Sequence, residues 1–155
     1  MSQTVVPKPV RTAVPQVSGD LYAEVQTFYA HQMRRVDSLD IEGFADTFTE
    51  DGAVVHAGGN RQSGRAEMVA GMRASLPRYR GIAVRHWFDH LLIEVDGNDA
   101  DTVRVSYYTL VTLTDSEGKV SFQPTFTVED ELVRRGGQLY TRERVIHRDE
   151  PVVAG

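Results

Sequence analysis

Cysteine is absent from the 155-residue chain, which rules out a disulfide and any cysteine-ligated metal site. No apolar run approaches the roughly 20 residues that a membrane-spanning helix requires. A secretory leader is not visible at the start either, so the expectation is a cytoplasmic protein with no membrane partner. A basic stripe is missing as well. With 17 Lys and Arg against 22 Asp and Glu, the net charge is −5. Nothing in that balance replaces the counterions of a phosphate backbone, which argues against nucleic acid. Internal repeats are also lacking. What remains is ordinary: 41% hydrophobic and 25% charged residues, enough for one core without staples.

Residues 1–18 hold three of the six prolines and no periodic pattern, and read as a disordered or loosely docked N-terminal arm. A single domain is expected over 19–150, followed by a short tail over 151–155. Asp20 is placed to cap a helix running to about Leu39, with Leu21, Val25, Phe28, Tyr29, Met33 and Val36 on one face. Asp40 then caps a short amphipathic helix carrying Ile41, Phe44, Ala45 and Phe48. "TEDG" ends that helix, with Gly52 suited to a left-handed turn. Residues 53–57 and "RQSGR" form a small hairpin. Ser63 caps a third helix, 65–76, with Met68, Val69, Met72 and Leu76 as its apolar side. Four strands follow at 83–95, 102–114, 120–134 and 138–148, joined by the turns "DGNDAD", "DSEGK" and "RGG". The order predicts an α+β fold: three N-terminal helices packed on a strongly curved, mainly antiparallel sheet, a cone-shaped α+β barrel whose interior is a ligand pocket.

The first long strand, "AVRHWFDHLLIEV", places two histidines, an arginine and an aspartate among apolar residues, although such groups are costly to bury. By strand parity His86, Phe88, His90, Leu92 and Glu94 share one face, and Arg85, Trp87, Asp89, Leu91, Ile93 and Val95 the other. A bulge would break this parity. With the first set inward, His86 and His90 stand ~13 Å apart along the strand, too far for one ion, so no metal is expected. Asp37 follows Met33 by four and Tyr29 by eight, on the helix side that is apolar, so it is either buried and paired or solvated at the stripe's edge. Tyr107 and Tyr108 point to opposite faces. An inward tyrosine either donates to a substrate carbonyl or fills core, and Tyr29 has the same two readings. His31, His56 and His147 read as peripheral, and Arg144 either reaches the pocket mouth or, as is expected here, forms a surface ion pair. Phe122, Phe126, Val128 and Leu132 share one face of their strand.

Taken together, "FYAHQMRRVDSLDIEGFADTFTEDGAVV", the "SGR" before the third helix, "RHWFDHLLIEV" and "DELVRRGGQLYTRERVIHRD" resemble the SnoaL-like group. That group belongs to the nuclear transport factor 2-like superfamily, with scytalone dehydratase, polyketide cyclases, steroid isomerases and dioxygenase small subunits. The resemblance spans roughly residues 20–149 and implies the cone. It also implies that Asp37 orients and polarises His86, which acts as general acid and base. A second histidine of the dehydratase falls at Tyr107, and an asparagine near Val128, both departures from its pattern. The implied function is a polyketide cyclase, dehydratase or isomerase acting on a small apolar carbonyl intermediate of secondary metabolism, without metal or organic cofactor. Asp37, His86 and Tyr107 are the catalytic candidates. Tyr29, Met33, Phe88, His90, Phe126 and Val128 are the substrate-binding ones. Two alternatives stand beside it. One is a non-catalytic accessory or ligand-binding subunit. The other is an epoxide hydrolase-type cyclase, for which no Asp-Arg-Asp set is legible on inward positions. The expected partners are a small molecule and further copies of the chain in a homodimer or larger assembly.

Overall fold

A computed structural model of the chain describes residues 16–152. The expected arm and tail lie largely outside the described residues. Helix α1 (Gly19–Asp37) is capped by Ser18, whose hydroxyl accepts the Leu21 N–H at 3.1 Å. Asp20 was expected in that role; it sits instead in the first turn, where its charge favours the positive end of the helix dipole. Val25, Tyr29, Met33 and Val36, spaced by three and four, are among the residues it buries. Leu39 takes a positive φ of 59°, and Asp40 caps α2 (Ile41–Ala45) by accepting the Gly43 N–H at 3.0 Å.

Phe48 does not belong to that helix. It opens strand β1 (Phe48–Val55), which contains the "TEDG" expected to be a helix stop. Gly52 shows no left-handed φ; a side chain there would meet the Thr49 carbonyl at 2.9 Å, so close approach explains the glycine. β1 turns back into β2 (Arg61–Ser63). Helix α3 (Arg65–Ser75) follows Gly64, with no side-chain cap. Ser63 was expected to supply one, but its hydroxyl plays no such part, and its N–H donates to Glu67 at 2.8 Å. A 3₁₀ turn at Leu76–Tyr79 ends the helical layer.

The sheet runs β2-β1-β7-β6-β4-β3, with β3 (Ala83–Val95), β4 (Thr102–Thr114), β6 (Phe126–Arg135) and β7 (Gln138–Arg148) as its long members. The expected strand 120–134 is split: β5 (Val120–Phe122) pairs with the end of β4, and β6 resumes after Pro124, which has no N–H for a ladder. β1 and β7 pair in parallel; the other described pairs are antiparallel. The result is three helices packed on a mixed, mostly antiparallel sheet that stays open, an α+β cone. No described helix is long and apolar enough to cross a membrane.

A bulge interrupts β3. Asp89 faces Tyr108, but the next pair is Leu92 with Ser106, three residues on against two. His90 absorbs the extra residue with a φ of 55°, and its N–H donates to the Asp89 carboxylate at 2.7 Å. Parity is inverted beyond it. The expectation that His90, Leu92 and Glu94 point inward is therefore corrected: all three are exposed, and Ile93 is buried in their place. A β-carbon in the left-handed region costs roughly 1–2 kcal/mol. His90→Gly is accordingly expected to raise stability by about 0.5–1 kcal/mol, read as a higher urea midpoint. A lower midpoint would show the left-handed turn to be unstrained.

Two buried clusters form. Met33, Phe44, Phe48, Met68 and Met72 belong to one, Tyr29, Val105, Tyr107 and Leu132 to the other, and Phe88 and Ile146 pack against both. The candidate site opens at that junction.

Candidate active site

The last residue of α1 and the fourth of β3 meet. His86 Nδ1 lies 2.6 Å from Asp37 Oδ1, and the His86 backbone N–H donates to Oδ2 at 3.4 Å. One carboxylate thus holds both the ring and the backbone of the same residue. An ionised carboxylate only accepts, so Nδ1 carries the proton in this pair, and the neutral form of the ring has its lone pair on Nε2. Nε2 has no hydrogen-bond partner among the described residues. The two side chains are 24% and 11% exposed, sheltered without being sealed.

His86 lines a cavity of about 880 Å³ with Met33, Val36, Phe44, Phe88, Val111 and Val128 as apolar walls, and the rings of Tyr107 and Phe126 beside them. Asp37 does not reach this cavity. It lines a separate outer cleft with Arg34, Arg85 and Trp87, and His86 and Met33 line both spaces. The expected contributors Met33, Phe88, Phe126, Val128 and Tyr107 are all brought to the cavity; His90 is not, because of the bulge, and Tyr29 is not among its lining residues. His56 and His147 line it too, held by Gln62 and Glu129 at 3.2 Å each, while His31 bonds Arg35 on the exposed side of α1. Among the described residues no three His, Asp or Glu side chains gather closely enough to hold a metal ion.

A second polar group lies at the cavity's buried side. Arg144, expected on the surface, is 5% exposed and faces Asp130 directly across β6 and β7. Its Nε donates to Asp130 Oδ1 at 2.9 Å, and its Nη2 to Oδ2 at 2.7 Å and to Gln32 Oε1 at 2.6 Å. Tyr29 and Tyr107 donate to the same Oδ2 at 2.9 and 3.0 Å. Gln32, fully buried on α1, is itself fixed by donating to Thr47 and Thr141. Burial makes the correction necessary. A charge inside this wall survives only when paired and hydrogen-bonded, and Asp130 supplies both. The sequence carried one signal: the alternation that sets Phe126, Val128 and Leu132 on one face sets Asp130 there too. Arg144 was hidden by the register shift opposite Glu131 and Leu132.

This pairing changes what the tyrosines can do. Their hydroxyl protons are committed to Asp130, so neither is free to donate to a ligand. Burial, reinforced by the Asp130 charge, holds both phenols well above their ordinary 10.0. Burial works against the Arg144 charge, yet Asp130 outweighs it and keeps the guanidinium more firmly protonated than usual. The two phenols keep their protons to higher pH folded than unfolded, so this contribution to stability is complete below the unfolded value of 10.0 and falls as pH rises beyond it. Urea unfolding between pH 8 and 11 is expected to show a flat contribution that gives way near pH 10 to a loss approaching about 1.4 kcal/mol per pH unit for each tyrosine that must ionise on unfolding. A Tyr29→Phe/Tyr107→Phe variant with the same slope would exclude these phenols as its source.

The SnoaL-like domain family matches residues 20–145. Among solved structures, Aln2 from a Streptomyces species is 43% identical, with 86% of this chain and 94% of that chain covered and a TM-score of 0.81. ActVI-ORFA from Streptomyces coelicolor is 35% identical over 84% of this chain and 98% of that one, with a TM-score of 0.78. A Catenulispora acidiphila protein in complex with S-DNPA is 34% identical over 84% and 95%, with a TM-score of 0.75. No curated protein matches.

Proposed function

Because this chain belongs to the SnoaL-like family, we propose that it is a cofactor-independent cyclase, dehydratase or isomerase. In this reading residues 19–150 act as one unit on a small, mostly apolar carbonyl compound of polyketide type, by general acid–base catalysis. The observation that carries the proposal is the 2.6 Å Asp37–His86 contact on the wall of an open cavity of about 880 Å³. His86 Nε2 takes a proton from the carbon beside the carbonyl, and the electron pair moves into an enolate. Asp37 holds the imidazolium that forms. In a dehydration, Nε2–H then protonates the departing hydroxyl, the carbon–oxygen bond breaks, and water leaves with the imidazole restored. In an isomerisation the same proton returns to a different carbon. The S-DNPA complex of the Catenulispora relative supports a small-molecule occupant.

Two observations weigh on the alternatives. A scaffold without chemistry calls for a plugged cavity and a separated pair, and both features point the other way. An epoxide-opening site calls for a carboxylate free to activate water. Here Arg144 has Asp130 and the Gln32 amide as its acceptors, and Asp130 already accepts four hydrogen bonds.

The test uses 3-hydroxy-1-tetralone, a fused-ring β-hydroxy ketone whose loss of water gives fluorescent 1-naphthol. Wild type is expected to accelerate the loss, and His86→Ala to abolish the acceleration. Equal rates with the two proteins, across a panel of such ketones, would overturn the proposal.

Homodimers are proposed through the outer sheet face, where Trp87, Tyr108 and Phe122 are 57%, 59% and 68% exposed. Sedimentation equilibrium is expected to give twice the 17.3 kDa chain mass, and a monomer at micromolar concentration would refute it.

A further inference from the structure

The acid–base reading leaves one function without a residue. When His86 removes a proton, charge collects on the carbonyl oxygen, and a site that does this chemistry needs a donor there. Tyr107 and Tyr29 are excluded, because each donates its hydroxyl to Asp130. Arg144 has the group they lack. Its Nε and Nη2 are occupied by Asp130 and Gln32, but Nη1 donates to no described residue. Nor is Nη1 sealed away. The one fully buried side-chain polar atom without a partner among the described residues is Thr49 Oγ1. An unpartnered Nη1 that is absent from that class has open surface, and Arg144 lines the cavity. The guanidinium lies 5.6 Å from the rings of both Phe48 and Phe88, which leaves little freedom of tilt.

We propose that Arg144 Nη1 is the oxyanion donor of this site: it holds the ligand's carbonyl oxygen while His86 moves the proton. This rests on the acid–base reading and adds to it the class of ligand. Asp130 and Arg144 cancel in formal charge, so the resting site favours a neutral carbonyl over a carboxylate. Asp130 shares its charge among four donors, leaving the guanidinium able to strengthen its bond as the oxygen becomes an enolate. His86 and Phe88 are alternate residues on β3, ~7 Å apart, and Arg144 is reached from Phe88. A fused-ring ketone fits the mostly apolar walls, its oxygen toward Arg144 and the carbon beside its carbonyl toward His86. Asp130, Gln32 and the two tyrosines are positioning residues for Arg144.

The experiment uses 1-tetralone labelled with ¹³C at its carbonyl, in D₂O, and reads two signals from one sample. Binding to wild type is expected to move the carbonyl resonance downfield, and deuterium to enter at the neighbouring carbon. In Asp130→Leu/Arg144→Met, which removes the ion pair as a unit, the shift is expected to vanish and exchange to slow by roughly 100-fold. In His86→Ala exchange is lost and the shift stays. A wild-type carbonyl resonance that does not move overturns the Arg144 assignment without reference to any variant, and so does a shift that survives the double substitution. Exchange that continues without His86 overturns the acid–base reading instead, and the carbonyl shift remains a separate test of Arg144.

Discussion

His86→Ala is expected to lower kcat for water loss from 3-hydroxy-1-tetralone by roughly 10²–10⁴-fold, with KM changed far less. The side chain forms one wall of a cavity whose remaining walls are mostly apolar, so its removal enlarges the space and leaves the grip on a fused ring. Asp37→Asn should come close to the same loss by a different route. The amide keeps the shape of the carboxylate but presents either a donor or a neutral acceptor to Nδ1, so the imidazolium loses its charge partner. If the pair acts as one unit, the double variant is no slower than His86→Ala alone. A His86→Ala variant within tenfold of wild type would exclude the imidazole as the proton carrier.

Removing one member of the Asp130–Arg144 pair is expected to be the most destabilising polar substitution in the chain. Arg144→Met leaves Asp130, 3% exposed, charged in the core with only two phenols as donors, and Asp130→Leu strands a guanidinium that is nearly as deep. Each single variant should lose about 3–5 kcal/mol. The combination removes both charges and fills the space with apolar side chains, so it should lose much less than the sum of the two. Urea unfolding of the four proteins closes the cycle. A double variant as unstable as that sum would mean the two charges do not depend on each other, contrary to their direct contact across β6 and β7.

These two groups were not equally visible in the sequence. Asp37 and His86 came from the resemblance, and helix spacing alone had left Asp37 either paired or solvated. Residue patterns marked the inward faces of α1, α3 and the first half of β3, and the alternation in β4 separated Tyr107 from Tyr108. Local chemistry is sufficient for such features: a 3.6-residue or two-residue period and the turn residues between strands depend on neighbours in the chain. The capping residue Asp40 belongs to the same class, since its acceptor oxygen serves an N–H three residues away.

Tertiary structure decided the rest. Phe48 fits a helical spacing yet begins a strand, because pairing with β7, far along the chain, gives its backbone a ladder that the short helix cannot. The bulge at His90 follows from matching two long strands of a curved sheet, and one extra residue reverses every side chain after it. Arg144 is inside because Asp130 stands opposite it and Gln32, 112 residues away, reaches its other side. The sequence by itself determined which faces are apolar and where the chain turns. Which charges are buried, and what they touch, was decided by register and by partners distant in the chain, because a charge is stable inside only where folding brings its partner within hydrogen-bond reach.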